Sequence, residues 1–332
     1  MIQLPAQVLK ELNIFKNGIV IKANDDYDLI YKLFRNGNFD INQSYIFCIS
    51  EEILHNENEF ESIYKIIRDF NLDAYISQST TSSYYRSTHP LTNFIIWRRH
   101  QTRNSISWNE GENHRVLTKE NFSPNKDVST ISKSNKGILS VRKVNEMREA
   151  LFLRNPMISD GIVRYMKWPT FGCRELENEE LINSTPTLDE LIDEYNSSYF
   201  SFVCETIDDS HQLVCNITEK TIIAFLTGTM PILLGSRGIV SELESIGFKL
   251  WNSEFGFENG DNYFNNCKFK IDSYMRCINN VNSLSMNLCD EYWNENIKYI
   301  QHNYDLMNYL LFSEDIFDKF KIFNPNNLEI PK

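Results

Sequence analysis

Glu219 and Lys220 stand side by side in Ile-Thr-Glu-Lys-Thr (217–221), where a helical pattern begins and Thr218 is placed to cap it. The first turn of a helix carries unsatisfied N–H groups and a partial positive charge, so it holds anions well. A lysine there opposes the helix dipole unless something negative lies between them. Other charges fall at comparable places. Arg142 and Lys143 end the apolar run Gly-Ile-Leu-Ser-Val, Arg148 lies near the start of the next helical stretch, and Glu205 ends Phe-Ser-Phe-Val-Cys. In open α/β sheets ligands bind beyond the carboxyl ends of the strands. Arginine and lysine suit phosphates, and carboxylates accept hydrogen bonds from sugar hydroxyls, so the set fits a diphosphate attached to a ribose. Each feature alone also has a plainer reading, as a capping or solvated charge at a helix start or as a surface ion pair.

The elements that must position these residues follow from periodicity. In the first third, short β-rich runs alternate with helical patterns: Gly18–Ala23, Tyr45–Ser50, Asp73–Ser77 and Asn93–Trp97 as strands, and Asn58–Phe70 among the helices. Strands separated by helices predict parallel βαβ units. From about Arg98 to Lys136 the chain is polar, rich in Asn, Ser and Thr, and reads as long connections. A second α/β region follows. Its strands are Lys136–Lys143, Tyr199–Thr206, Pro-Ile-Leu-Leu-Gly and a short Phe-Lys-Leu-Trp, with helices between, one of them behind Thr187 as cap. A helical, aromatic-rich stretch from about Leu284 to Phe320 reads as a C-terminal helix pair. The expected architecture is α/β in two halves, residues 1–135 and 136–332, with C-terminal helices.

With 332 residues the chain is long enough for two cores. A net charge of -12 argues against general nucleic-acid binding, which relies on clustered lysine and arginine, but leaves room for a local basic patch. The seven cysteines are scattered, without a Cys-x-x-Cys pair, so neither structural zinc nor a disulfide framework is expected. No run is long enough to span a bilayer, and no cleavable apolar stretch opens the chain; a cytoplasmic protein is expected, in the host cytoplasm if it is viral.

Taken in order, Arg-Lys-x-x-x-x-Arg (142–148), Phe-Val-x-Glu-Thr (202–206), Ile-Thr-Glu-Lys-Thr, Gly-x-x-Pro-Ile-Leu-Leu-Gly (228–235) and Leu-x-Ser-Ile-Gly-Phe (243–248) resemble a known family. They look like the GT-B-type glycosyltransferases of phages, large DNA viruses and bacteria, themselves loosely similar to α1,3-fucosyltransferases in the nucleotide-sugar half. The resemblance covers Gly137 to Trp251, with a weaker echo in Asn-Ile-Lys-Tyr-Ile-Gln-His-Asn-Tyr (296–304). It implies that the two halves are Rossmann-like domains facing across a cleft, and that Arg142 or Arg148, with Lys220, holds the donor diphosphate. Glu219, behind Thr218, would contact the ribose or nearby donor hydroxyls, and Glu205 would face the transferred sugar. Gly228 and Gly235 would lie where a Cβ would crowd the ligand. After Trp251 the expected acidic–aromatic segment is matched only loosely, which leaves the sugar open.

The resemblance implies inverting transfer from a nucleotide-sugar donor, with no cofactor and no metal, since protein cations and a helix end neutralise the phosphates. The acceptor would be a glycan, a protein or a DNA base. The pairs Asp25-Asp26 and Asp208-Asp209 do not form Asp-x-Asp. A base is then needed on the acceptor side: Glu51 and Glu52 follow a strand end, and His89 and His100 compete with them. A DNA-modifying variant would use a basic groove from Arg86, Arg98, Arg99, Arg103 and Arg115. A non-catalytic nucleotide-sugar or glycan-binding protein of the same fold is the other rival. Oligomeric state is open.

Overall fold

The structure is a computed structural model and describes residues 10, 18–23, 27–49, 57–78, 126–141, 146–165, 188–205, 219–235, 238–257, 267–312 and 321–323. It is mixed α/β, with parallel sheets and helices. The chain forms two compact units, Met1–Arg103 with Ser313–Lys332, and Asn104–Phe312.

In the first unit β1 (Ile19–Ala23), β2 (Ser44–Ile49) and β3 (Asp73–Gln78) are separated by α1 (Tyr27–Arg35) and α2 (Glu57–Asp69). The sheet order is β3-β2-β1-β8, all parallel, with β8 being Lys321–Phe323. Alternation places Tyr45 and Phe47 on one buried face, and Ile63, Ile66 and Ile67 form the helical stripe of α2 that also enters the core. Phe34 joins Phe39, Tyr45 and Phe70 in a ring cluster with centroids 4.6 to 5.4 Å away. Gly37 (φ 72°) closes α1 in the left-handed conformation that glycine adopts without steric cost.

The second unit holds β4 (Asn135–Val141), α3 (Glu146–Leu153), β5 (Ile162–Tyr165), α4 (Leu188–Asn196), β6 (Ser198–Cys204), α5 (Glu219–Leu226), β7 (Met230–Leu234), α6 (Ile239–Ile246), α7 (Cys267–Asn282) and α8 (Met286–Phe312). Its parallel sheet has the order β5-β4-β6-β7. Every residue of β6 and β7 is buried, so each reads as a near-continuous apolar run, the mark of a parallel strand covered on both faces. Cys204, Cys277 and Cys289 are buried outside any disulfide, as small core residues. Among the described residues no helix is long and apolar enough to cross a membrane.

Several expectations need correction. The units do not divide at 135/136: Val128 N–H donates to Gln301 Oε1 (2.9 Å) in α8, and β8 returns to pair with β1. The expected C-terminal stretch holds one described helix, Met286–Phe312, and its partner is Cys267–Asn282, upstream of the expected start; residues 313–320 lie outside the described residues. β5 and β8 were not anticipated. Phe248–Trp251 is not a strand, because the Asn303 amide occupies both the N–H (2.8 Å) and the C=O (2.7 Å) of Lys249. The outer edge of β7 is covered by Trp251, whose N–H donates to Pro231 O (3.2 Å), and by Asn252, which accepts from Leu233 N–H (2.9 Å) and donates to Leu233 O (2.7 Å). The Asn93–Trp97 segment and Thr187 lie outside the described residues.

Asn252 is buried, so replacing it by alanine leaves an interior N–H and C=O of β7 without their partner. Asn252→Ala is expected to lower unfolding free energy by roughly 1–3 kcal/mol for each group left unsatisfied. Urea denaturation followed by circular dichroism measures this; a loss below about 0.5 kcal/mol, the range of ordinary surface substitutions, would refute the edge-capping role.

Candidate functional site

In the second sheet the chain runs from β4 out to β5 and then crosses back to β6 on the other side of β4. Ligands of open α/β sheets bind at such a reversal, beyond the carboxyl ends of the strands. Those ends are Val141, Cys204 and Leu234, and α3 and α5 each begin on the chain leaving β4 and β6.

Glu205 occupies this position. It follows the last residue of β6, and its N–H still bonds Leu234 O at 2.8 Å, so its backbone is fixed by the sheet. Its carboxylate is wholly buried and accepts a hydrogen bond from the Thr221 hydroxyl in the first turn of α5. Arg148, also wholly buried, extends from α3 and donates from Nη2 to Cys204 O at 2.6 Å, bracing the end of β6. Lys220, 7% exposed, is the second residue of α5. Lys270, 2% exposed, reaches in from the first turn of α7 and donates to Gly235 O at 3.3 Å. Gly235 lies against Glu205: a Cβ built on it would stand 3.2 Å from Glu205 Cβ.

Burial pushes the Cys204 thiol up, and Arg148 and Lys220 oppose this while Glu205 reinforces it, so all three act at the end of β6. Among the described side chains buried here, three are cations (Arg148, Lys220, Lys270) and one is a carboxylate (Glu205). Ions out of water are costly and demand compensating charge and hydrogen bonds. An anion able to accept several donors, with hydroxyls to offer a carboxylate, matches this arrangement chemically. Among the described residues no group of three or more His, Cys, Asp and Glu is arranged to hold a metal ion.

The structure therefore brings together Arg148, Glu205 and Lys220 of the anticipated set. Glu219 opens α5 as expected, but its side chain lies outside the described residues. Glu51, Glu52, His89, His100, Arg142, Lys143 and Thr218, the two Asp-Asp pairs and the arginines of the suggested basic groove lie outside them too. Gly235 stands at the carboxyl end of β7. Gly228 stands at the other end: its φ is 63°, a Cβ there would meet Val128 and Ile131 at 3.2 Å, and its carbonyl accepts from Trp293 Nε1 at 3.1 Å. Gly228 makes a turn after α5 and is remote from any ligand at the carboxyl ends. Thr221 and Lys270 were missed. Lys270 had a readable signal, being a lysine in a helical first turn that contains no acidic residue, whereas Lys220 has Glu219 beside it.

Gly235→Ala puts a methyl 3.2 Å from Glu205 Cβ and 3.3 Å from Ile239 Cδ1, so both neighbours must give by a few tenths of an ångström. A cost of about 1–3 kcal/mol is expected from overpacking. Thermal melts of this variant beside wild type measure it, and an unchanged melting temperature would show that the strand end is looser than described.

No family model, curated protein or solved structure matches the chain.

Proposed function

We propose that the second unit binds a nucleoside-diphosphate sugar and that the protein is a glycosyltransferase. The observation that carries this reading is the buried group of three cations around one carboxylate at the carboxyl ends of β6 and β7, beside the start of α5. The residues that carry the sequence resemblance and the residues at this strand end are in large part the same. In this reading Lys220 contacts the diphosphate, and the positive end of α5 adds to its field. Of the two arginines that the resemblance offers, Arg148 already donates to Cys204 O, which favours Arg142 for direct contact. Glu219 takes ribose hydroxyls. Glu205 accepts from a hydroxyl of the transferred sugar, with Thr221 holding its other side.

The finer architecture, two Rossmann-like domains of GT-B type, belongs to this proposal; both parallel sheets and the reversal of strand order in each support it. So does the choice of the acceptor-side base. Glu51 or Glu52 removes the proton from the acceptor hydroxyl as it attacks the anomeric carbon, and the nucleoside diphosphate leaves from the opposite face with inversion. The cations at the strand ends take up the charge that develops on the departing diphosphate.

A thermal-shift panel of UDP, GDP, CMP and dTDP sugars tests the reading, because a ligand of the native state raises its stability by mass action. One nucleotide class should stabilise the protein. Lys220→Ala should then weaken that ligand by about 1.5–3 kcal/mol, the scale of a hydrogen bond to a charged group, with folding retained. Calorimetric titration decides it: no binding by wild type, or full affinity in the variant, defeats the donor-site reading. Binding without turnover on any acceptor would instead identify a sugar-nucleotide binding protein.

The acceptor side is tested separately. One of Glu51→Gln and Glu52→Gln is expected to lower turnover by roughly a hundredfold or more while donor affinity is kept. Wild-type turnover in both variants would move the base to His89 or His100.

A further inference from the structure

We draw no further inference here: the strongest candidate, the side-chain cluster of Lys133 and Trp293 at the amino end of the second sheet, rests only on the lysine's lowered pKa, since its ammonium braces the turn before β4 on Thr227 O (3.3 Å) and over the Trp293 ring (5.6 Å to its centre).

Discussion

Burying ions at the carboxyl ends of β6 and β7 is the constraint to which the second unit answers. Moving a carboxylate or a guanidinium out of water costs several kcal/mol even after relaxation. Glu205 and Arg148 are both wholly buried, so the surrounding structure must compensate for each. The backbone does part of this: Cys204 offers its carbonyl to Arg148, and Gly235 offers its own to Lys270. Thr221 adds its hydroxyl to Glu205 from the first turn of α5. Three helices that follow different strands or none are thereby tied to one pair of strand ends. The same dryness that makes the ions costly strengthens every interaction they make.

The opposite end of the sheet handles its lysines in another way. Lys136 at the start of β4 is buried, yet its ammonium meets the Ser159 hydroxyl (3.0 Å), Asn282 O (3.2 Å) and, at 4.0 Å, the Asp160 carboxylate. Lys133 donates to Thr227 O at 3.3 Å and lies over the Trp293 ring. Burial holds the Lys133 ammonium well below its usual pKa, with Lys126 adding repulsion. These lysines tie turns to α7 and α8 and have scaffold partners around them. The sheet is thus polarised: its amino end is bound to the long C-terminal helices, and its carboxyl end gathers cations about a carboxylate.

Legibility in the sequence followed burial. β6 and β7 are covered on both faces and stood out as apolar runs, and the helix between them was placed from its Thr-Glu-Lys start. β5 was not seen because its four residues include Arg164, which is held by a bidentate contact with Glu194 on α4. A charge that finds its partner only after folding looks like a loop signal beforehand. β8 is three residues long and gains its pairing from β1, about 300 positions earlier, beyond the reach of any local pattern. Phe-Lys-Leu-Trp had the composition of a strand, but it reaches β7 only through Trp251 N–H on Pro231 O, and the side chains of Asn252 and Asn303 take the backbone groups of Leu233 and Lys249.

The site was legible where chain order and space coincide. Glu205 follows a strand end, and Arg148 and Lys220 stand in the first turns of the helices after β4 and β6, so strand-end and helix-start logic could gather them before any coordinates. The same logic misplaced Gly228, since a glycine flanking a strand can stand at either end, and only its positive φ and its packing on Val128 and Ile131 reveal the turn it serves. Lys270 escaped because α7 is joined to the strand ends through space alone: Ile271, Tyr274, Ile278 and Val281 bury its apolar stripe in the main core. That stripe also fixes where Lys270 points. With the buried face of α7 set by those four residues, the first turn is held over β7, and its lysine reaches Gly235 rather than water. A hydrophobic pattern spaced for packing therefore decides the position of a charge, and the electrostatics of the strand ends depend on a helix whose own sequence carries no motif.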